Sequence, residues 1–282
     1  MQVFILLLIV TAISASHYRG GTFNYKKLND TAIKVRWRLA AKRSWGAEYE
    51  CKSLGQHIEG EYNGMLRCIN CGTKQLVAGP LNYECISFSE DQNWSMVEGD
   101  TIYVADRSNF TLVYQVEPER NCRMSSNWID LVNYGIRLCW RLVTKVDLTK
   151  DNNHSPVVTM LPVYTVRSGC KSVIPIEASD PDGHVVRCRW ASMAKGECPV
   201  PVDGNSVCES ATDNAILDKD RCELEIPVLG EAGWYGASIM VEDFIDKDST
   251  EPLSSVPFQF LLNVTQRKGA LHFIFASSYS NH

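Results

Sequence analysis

Glu177-Ala-Ser-Asp-Pro-Asp-Gly-His-Val-Val-Arg-Cys-Arg-Trp190 compresses a strand end, an acidic turn and a second strand into fourteen residues. In the approach, Ser172–Ala178, the residues Ile174, Ile176 and Ala178 share one face. After the turn, Val186, Cys188 and Trp190 alternate with Arg187 and Arg189. Period-two patterning of this kind reads as two half-buried strands. The Asp-Pro-Asp-Gly between them supplies a proline that presets φ, aspartates that bond their own backbone and a glycine free to take positive φ, which are the ingredients of a hairpin turn.

Working outward, the 282 residues leave room for about two domains. Residues 1–16 read as a signal peptide: Val3–Val10 is an apolar run of the right length, and Ser14, Ala15 and Ser16 precede His17 with the small side chains that signal peptidase takes. No Lys or Arg precedes the run. The run falls short of the roughly 20 residues a helical span needs, and the later apolar stretches Phe258–Val264 and Ala270–Ala276 are strand-sized, so no membrane span is expected.

Eleven cysteines point to an oxidising compartment: Cys51, Cys68, Cys71, Cys85, Cys122 and Cys139 in the first half, and Cys170, Cys188, Cys198, Cys208 and Cys222 in the second. Six cysteines allow fifteen pairings, and the odd total leaves at least one thiol without a partner inside the chain. Five Asn-x-Ser/Thr sequons, at Asn29, Asn93, Asn109, Asn153 and Asn263, agree with a secreted, extracellular glycoprotein, although Pro156 weakens the fourth. Charge divides unevenly. Residues 17–150 carry 18 basic against 15 acidic side chains, and residues 151–282 carry 10 against 18. The first half therefore favours polyanions and the second favours cations such as calcium.

Within residues 17–150, Gly20-Gly21 opens a strand over Thr22–Tyr25, the two glycines allowing close backbone packing or a bulge. Ile33-Lys-Val-Arg-Trp-Arg-Leu39 is the cleanest strand, with Ile33, Val35, Trp37 and Leu39 inward and Lys34, Arg36 and Arg38 outward. Residues 42–100 read as short strands on a loop-rich, disulfide-pinned scaffold. Thr101–Val104, Phe110–Val116 and a strand from Ile136 to about Leu148 follow. The polar run Lys150–Pro156 reads as a linker. Beyond it come Val157–Met160, Val163–Val166, the two strands of the opening stretch, Cys222–Ile226, Trp234–Val241 and Val256–Val264. A polar insert with Cys198 and Cys208 fills 191–220. Seven strands in about 110 residues is sandwich spacing. The expectation is an all-β chain of two disulfide-linked β domains: 17–150 a cysteine-rich β domain, 151–265 an Ig-like/cadherin-like β-sandwich, and 266–282 a C-terminal tail.

The second module, with Ser179-Asp-Pro-Asp-Gly183, Gly233-Trp-Tyr235 and Val241-Glu-Asp243, resembles cadherin-like and related Ig-like extracellular domains. The resemblance implies a β-sandwich, calcium bound at acidic turns, and a role in adhesion or matrix assembly. The longer acidic linkers of true cadherins are absent. From Ser16–Gly21 through Arg187–Trp190 to Pro252–Val256, the chain also resembles a poorly characterised family of secreted or ectodomain animal proteins, which supplies no activity to borrow.

Three constellations carry chemistry. Asp180 and Asp182 on the turn, with Asp243 near a later strand end, offer the several oxygens that Ca2+ prefers, or they are a turn and a solvated strand end. Lys34, Arg36 and Arg38, extended by Lys42 and Arg43, could hold a sulfated glycosaminoglycan, or they are the solvated face of a strand. Cys68-Ile-Asn-Cys71 has zinc or redox spacing. No second pair or βαβ pattern accompanies it, so a structural disulfide is expected. The histidines are scattered and no catalytic motif appears, so no catalytic residue is assigned and the chain is not expected to be an enzyme. The function expected is that of a secreted adhesion or matrix component binding an extracellular protein or glycan, not nucleic acid. The alternative is a soluble carbohydrate-binding or immune recognition protein.

Overall fold

The fold is known from a computed structural model that describes residues 18–59, 64–73, 76–78, 82–116, 131–132, 140–150, 153–159, 161–198, 207–208 and 212–266. The expected signal peptide, Cys122, Cys139, the first residues of the strand expected from Ile136, and nearly all of the expected tail lie outside the described residues.

Among the described residues nine strands come before residue 150: β1 (Tyr18–Asn29), β2 (Ala32–Lys42), β3 (His57–Glu59), β4 (Gly64–Ile69), β5 (Leu76–Ala78), β6 (Asn82–Ser89), β7 (Trp94–Val104), β8 (Asn109–Val116) and β9 (Arg141–Asp147). Nine come after it: β10 (Val157–Val158), β11 (Val163–Arg167), β12 (Ser172–Pro175), β13 (Ala178–Ser179), β14 (Val185–Trp190), β15 (Ile216–Asp218), β16 (Glu223–Ile226), β17 (Gly233–Phe244) and β18 (Ser254–Thr265). Among the described residues the helical content is two single 3-10 turns, Arg43–Trp45 and Ala47–Tyr49, so the chain is all-β.

In the first half, β3-β6-β7-β2-β1 form one arm and β9-β8-β4-β5 another. The alternation in β2 decides which face turns inward: Ile33, Val35, Trp37 and Leu39 are buried. They join Leu112, Tyr114, Trp140 and Leu142 from the other arm in one core. Tyr18 stacks on Trp140 with ring centroids 4.2 Å apart, and Tyr114 meets the same indole edge-on.

In the second half, β11-β18-β17-β14 face β12-β16-β15. Ile174, Leu224 and Ile226 of the smaller sheet pack on Ile239, Val241, Phe258 and Phe260 of the larger. This is a β-sandwich with the Ig-like division of strands, the first long strand of the larger sheet running parallel to the last. A disulfide joins Cys188 on β14 to Cys222 at the entry to β16, bridging the sheets.

The opening stretch differs from its reading in one respect. β13 pairs with β10 and β14 with β17, so the Asp-Pro-Asp-Gly turn carries the chain from the two-stranded β10-β13 ribbon to the larger sheet instead of closing a hairpin. Turn chemistry fixes a reversal, with Gly183 at φ +80°, but the partner strand is chosen by which face each strand must bury. The Lys150–Pro156 run is likewise packed down where it is described. Ser155 is buried, its N–H donates to the Tyr25 carbonyl at 3.0 Å, and its hydroxyl accepts from the Tyr25 N–H at 2.8 Å.

β18 is the strand at which the two halves meet. One edge pairs with β17 along eleven residues. The other is shared in turn by β9 at Ser255, β1 at Phe258 and Gln259, and β11 from Leu261 to Thr265. Its side chains serve both cores: Leu261 belongs to the first, and Phe258, Phe260 and Leu262 to the second.

Candidate functional site

The acidic turn sits beside the seam between the halves. Asp180 Oδ1 accepts from the N–H groups of Asp182 (2.9 Å) and His184 (3.1 Å), which locks the turn. Asp243, near the end of β17, uses Oδ1 in the same way, accepting from the Ser254 N–H at 2.7 Å and its hydroxyl at 2.5 Å. The antiparallel pairing of β14 with β17 brings the turn and the end of β17 together. His184 Nδ1 lies 3.4 Å from Asp180 Oδ1 and 3.7 Å from Asp243 Oδ2. Both carboxylate side chains are 0 % exposed.

Each carboxylate thus spends one oxygen on the backbone and keeps one in reserve. Asp180 Oδ2, Asp243 Oδ2, His184 Nδ1 and both amide atoms of Asn153 are buried without a hydrogen bond of good geometry, although the Asn153 side chain reaches toward Asp243. Asn153 is 4 % exposed and lies close enough to Asp243 to favour its charged form. Burial nonetheless raises the pKa of Asp243 above the ordinary carboxylate value; the Ser254 bonds oppose that shift and the Asp180 charge adds to it.

Of the three aspartates singled out by sequence, two converge and the third turns aside. Asp182 Oδ2 accepts from the His154 N–H at 2.7 Å, and Oδ1 lies 2.8 Å from His154 Nδ1. His184 and Asn153 take part instead. His184 had a legible signal, four residues after Asp180 on the same tight turn. Asn153 had none, because its polar surroundings in sequence resemble a solvated linker.

The basic stripe on β2 lies opposite an acidic one on β7. The register sets Arg38 across from Glu98 and Arg36 across from Asp100. Arg38 Nε donates to Glu98 at 2.7 Å, Lys34 Nζ sits 3.0 Å from Asp100, and Arg36 reaches both acids at 3.7 and 4.0 Å. A polyanion would compete with two carboxylates for these cations. Arg43 is held by Glu50 at 3.4 Å and Glu90 at 3.2 Å.

Among the described cysteines, Cys51 pairs with Cys85, Cys68 with Cys71, Cys188 with Cys222 and Cys198 with Cys208. Cys170 is exposed and unpaired. Of the sequons, Asn29 and Asn109 are exposed and Asn93 and Asn263 half-buried. Asn153 is buried, so its amide is not presented for a glycan in the folded chain.

A second polar cluster, not anticipated from sequence, lines a groove of about 650 Å³ between the halves. Arg189 donates to Glu197 through both terminal nitrogens at 2.7 Å and to Glu242 through Nε at 2.8 Å. No helix among the described residues is long and apolar enough to cross a membrane.

Comparison with known proteins bears first on the first half. Residues 19–149 match the model of a family described as Integrin beta-like protein A-E, N-terminal. The match covers a little under half of the chain. No curated protein matches the sequence. Among solved structures, one described as Titin Ig tandem domains A164-A165 is similar at 8 % identity, over 89 % of this chain and 99 % of that one, with a TM-score of 0.25.

Proposed function

We propose that this chain is a secreted extracellular binding protein of the adhesion or matrix class, acting through its surfaces on another protein or glycan and not by catalysis. The observation that carries the reading is the similarity of residues 19–149 to the N-terminal region of integrin beta-like proteins. Two features support it. Four disulfides among the described residues pin loops and sheets in a manner suited to an oxidising compartment. The all-β framework exposes apolar side chains such as Ile102 and Val104 on β7, at 62 % and 46 % exposure, beside the paired Lys34 and Asp100. Mixed apolar and charged surface of this kind suits a protein partner better than a polyanion.

The test is to express the full chain in a secretory host, recover it from the medium and measure its retention on cells and on immobilised matrix proteins and glycans. Saturable retention that weakens on Ile102→Asp, while thermal stability is kept, supports the reading. A chain retained inside the cell with reduced thiols, or one with no saturable binding to any surface, overturns it.

A further inference from the structure

The cluster on the acidic turn has a property that neither the turn nor the fold requires. Two carboxylates, each wholly buried, each keep one oxygen without a hydrogen bond of good geometry, and so do a buried carboxamide and an imidazole nitrogen in the same neighbourhood, though both lie close to the carboxylates. Buried polar atoms are paired in the great majority of folded proteins, and two carboxylates removed from water both stay charged only beside a compensating cation; without a metal they must take up a proton between them or on His184. The ligand atoms of Asp180, His184 and Asp243 lie within 4.8 Å of one another, which is the span of a single coordination sphere. The oxygens that do have partners are held by the backbone N–H groups of Asp182, His184 and Ser254, which fixes both carboxylate planes before any ion arrives.

We propose that Asp180 Oδ2, Asp243 Oδ2 and His184 Nδ1, with the Asn153 carboxamide, form a site for one divalent metal ion of the zinc or manganese class. The imidazole decides the class. Calcium takes oxygen ligands almost exclusively, whereas a nitrogen beside two carboxylates suits the borderline first-row ions. Asp182, the third oxygen a calcium loop would recruit, is already occupied by His154.

The position gives the ion a structural task. Asn153 belongs to the segment joining the halves, Asp180 and His184 to the sheet-crossing turn, and Asp243 to β17. Two residues along from Asn153, Ser155 is hydrogen-bonded to Tyr25 of β1. The bound ion fastens the second sandwich to the strand that opens the first. The inference is independent of any partner, because it concerns only the chain's own residues.

Chelator-treated full-length protein is dialysed against Zn2+, Mn2+ or Ca2+, bound metal is counted per chain, and the thermal midpoint is recorded. Zn2+ or Mn2+ is expected to bind at one equivalent and raise the midpoint by about 5 °C at a hundredfold excess over Kd. Asp180→Asn keeps the Oδ1 acceptor of the turn, and His184→Ala leaves both carboxylates in place. Each is expected to lower affinity at least tenfold while the metal-free midpoint stays within a few degrees of the parent. Three outcomes overturn the proposal: no bound equivalent in any metal; binding that persists undiminished in both variants, which places the ion elsewhere; and stabilisation by Ca2+ alone with His184→Ala silent, which removes the imidazole from the site.

Discussion

At the scale of the residue, the burial of single hydroxyls sets how the protein responds to alkali. Tyr83 and Tyr114 are each 1 % exposed and share a hydrogen bond in the first core, and desolvation pushes both phenols well above their ordinary value. In the unfolded chain they ionise near pH 10. The native state therefore holds its protons longer than the unfolded state. Stability is complete below about pH 10 and falls as pH rises through the window up to the native values, by about 1.4 kcal/mol per pH unit for each tyrosine. Thermal midpoints followed from about pH 9 to pH 11 are expected to drop, with the share of tyrosinate absorbance owed to Tyr83 and Tyr114 appearing only as the chain unfolds. Tyr114→Phe is expected to make the decline shallower. Residue-level features were the most legible in the sequence. Gly20 and Gly21 signalled a close approach, and a Cβ at Gly20 would stand 2.4 Å from the Gln259 carbonyl oxygen. Ile33 through Leu39 announced their own inward face. Asn153 was illegible because burial of a polar residue depends on what folds over it.

At the scale of the element, charges that alternate along a strand look alike whether they face water or each other. Arg36 and Arg38 read as a solvated or polyanion-binding stripe because Glu98 and Asp100 lie some sixty residues away and meet them only through the β2–β7 register. Arg187 and Arg189 diverge for the same reason. The Arg187 guanidinium lies over the Phe244 ring at 4.3 Å, while Arg189 is clamped between Glu197 and Glu242, whose side chains are 5 % and 9 % exposed. Removing the cation from such a pair leaves uncompensated buried carboxylates, so Arg189→Ala is expected to cost about 3–5 kcal/mol in a denaturant titration. Combining it with Glu197→Gln and Glu242→Gln is expected to return a large part of that loss, because neutral amides carry a far smaller burial penalty than ionised groups. If the single variant is as stable as the parent, the clamp contributes nothing to the fold.

At the scale of the whole molecule, the sequence divides at its polar run while hydrogen bonding does not. Composition made 150 a natural boundary, and two core clusters are present, but the first also takes in Val163, Val207 and Leu261 from beyond it. What composition could not reveal is that β18, the last strand described, lies between β17 on one edge and β9, β1 and β11 on the other. Its run Phe258-Gln-Phe-Leu-Leu262 is apolar on both faces because each face meets a different core. Gln259, buried at 2 %, is kept for polar reasons: its amide nitrogen donates to the Arg141 carbonyl at 2.8 Å and to the Ser238 hydroxyl at 3.1 Å, tying β18 to its neighbours in both halves. A chain cut after residue 150 therefore loses the strand that bridges β1 to β9 and takes Leu261 out of the first core. Open edges of this kind invite association between chains. Residues 17–150 expressed alone are expected to melt well below the full chain, by about 10 °C or more, or to self-associate in sedimentation. Residues 151–266 retain both sheets of the second sandwich and are expected to fold on their own, although the β18 edge from Ser255 to Gln259 is then freed of β9 and β1. If instead the first fragment is monomeric and melts with the parent, β18 is an accessory to that half, and the two halves are separate units joined by a packed tether.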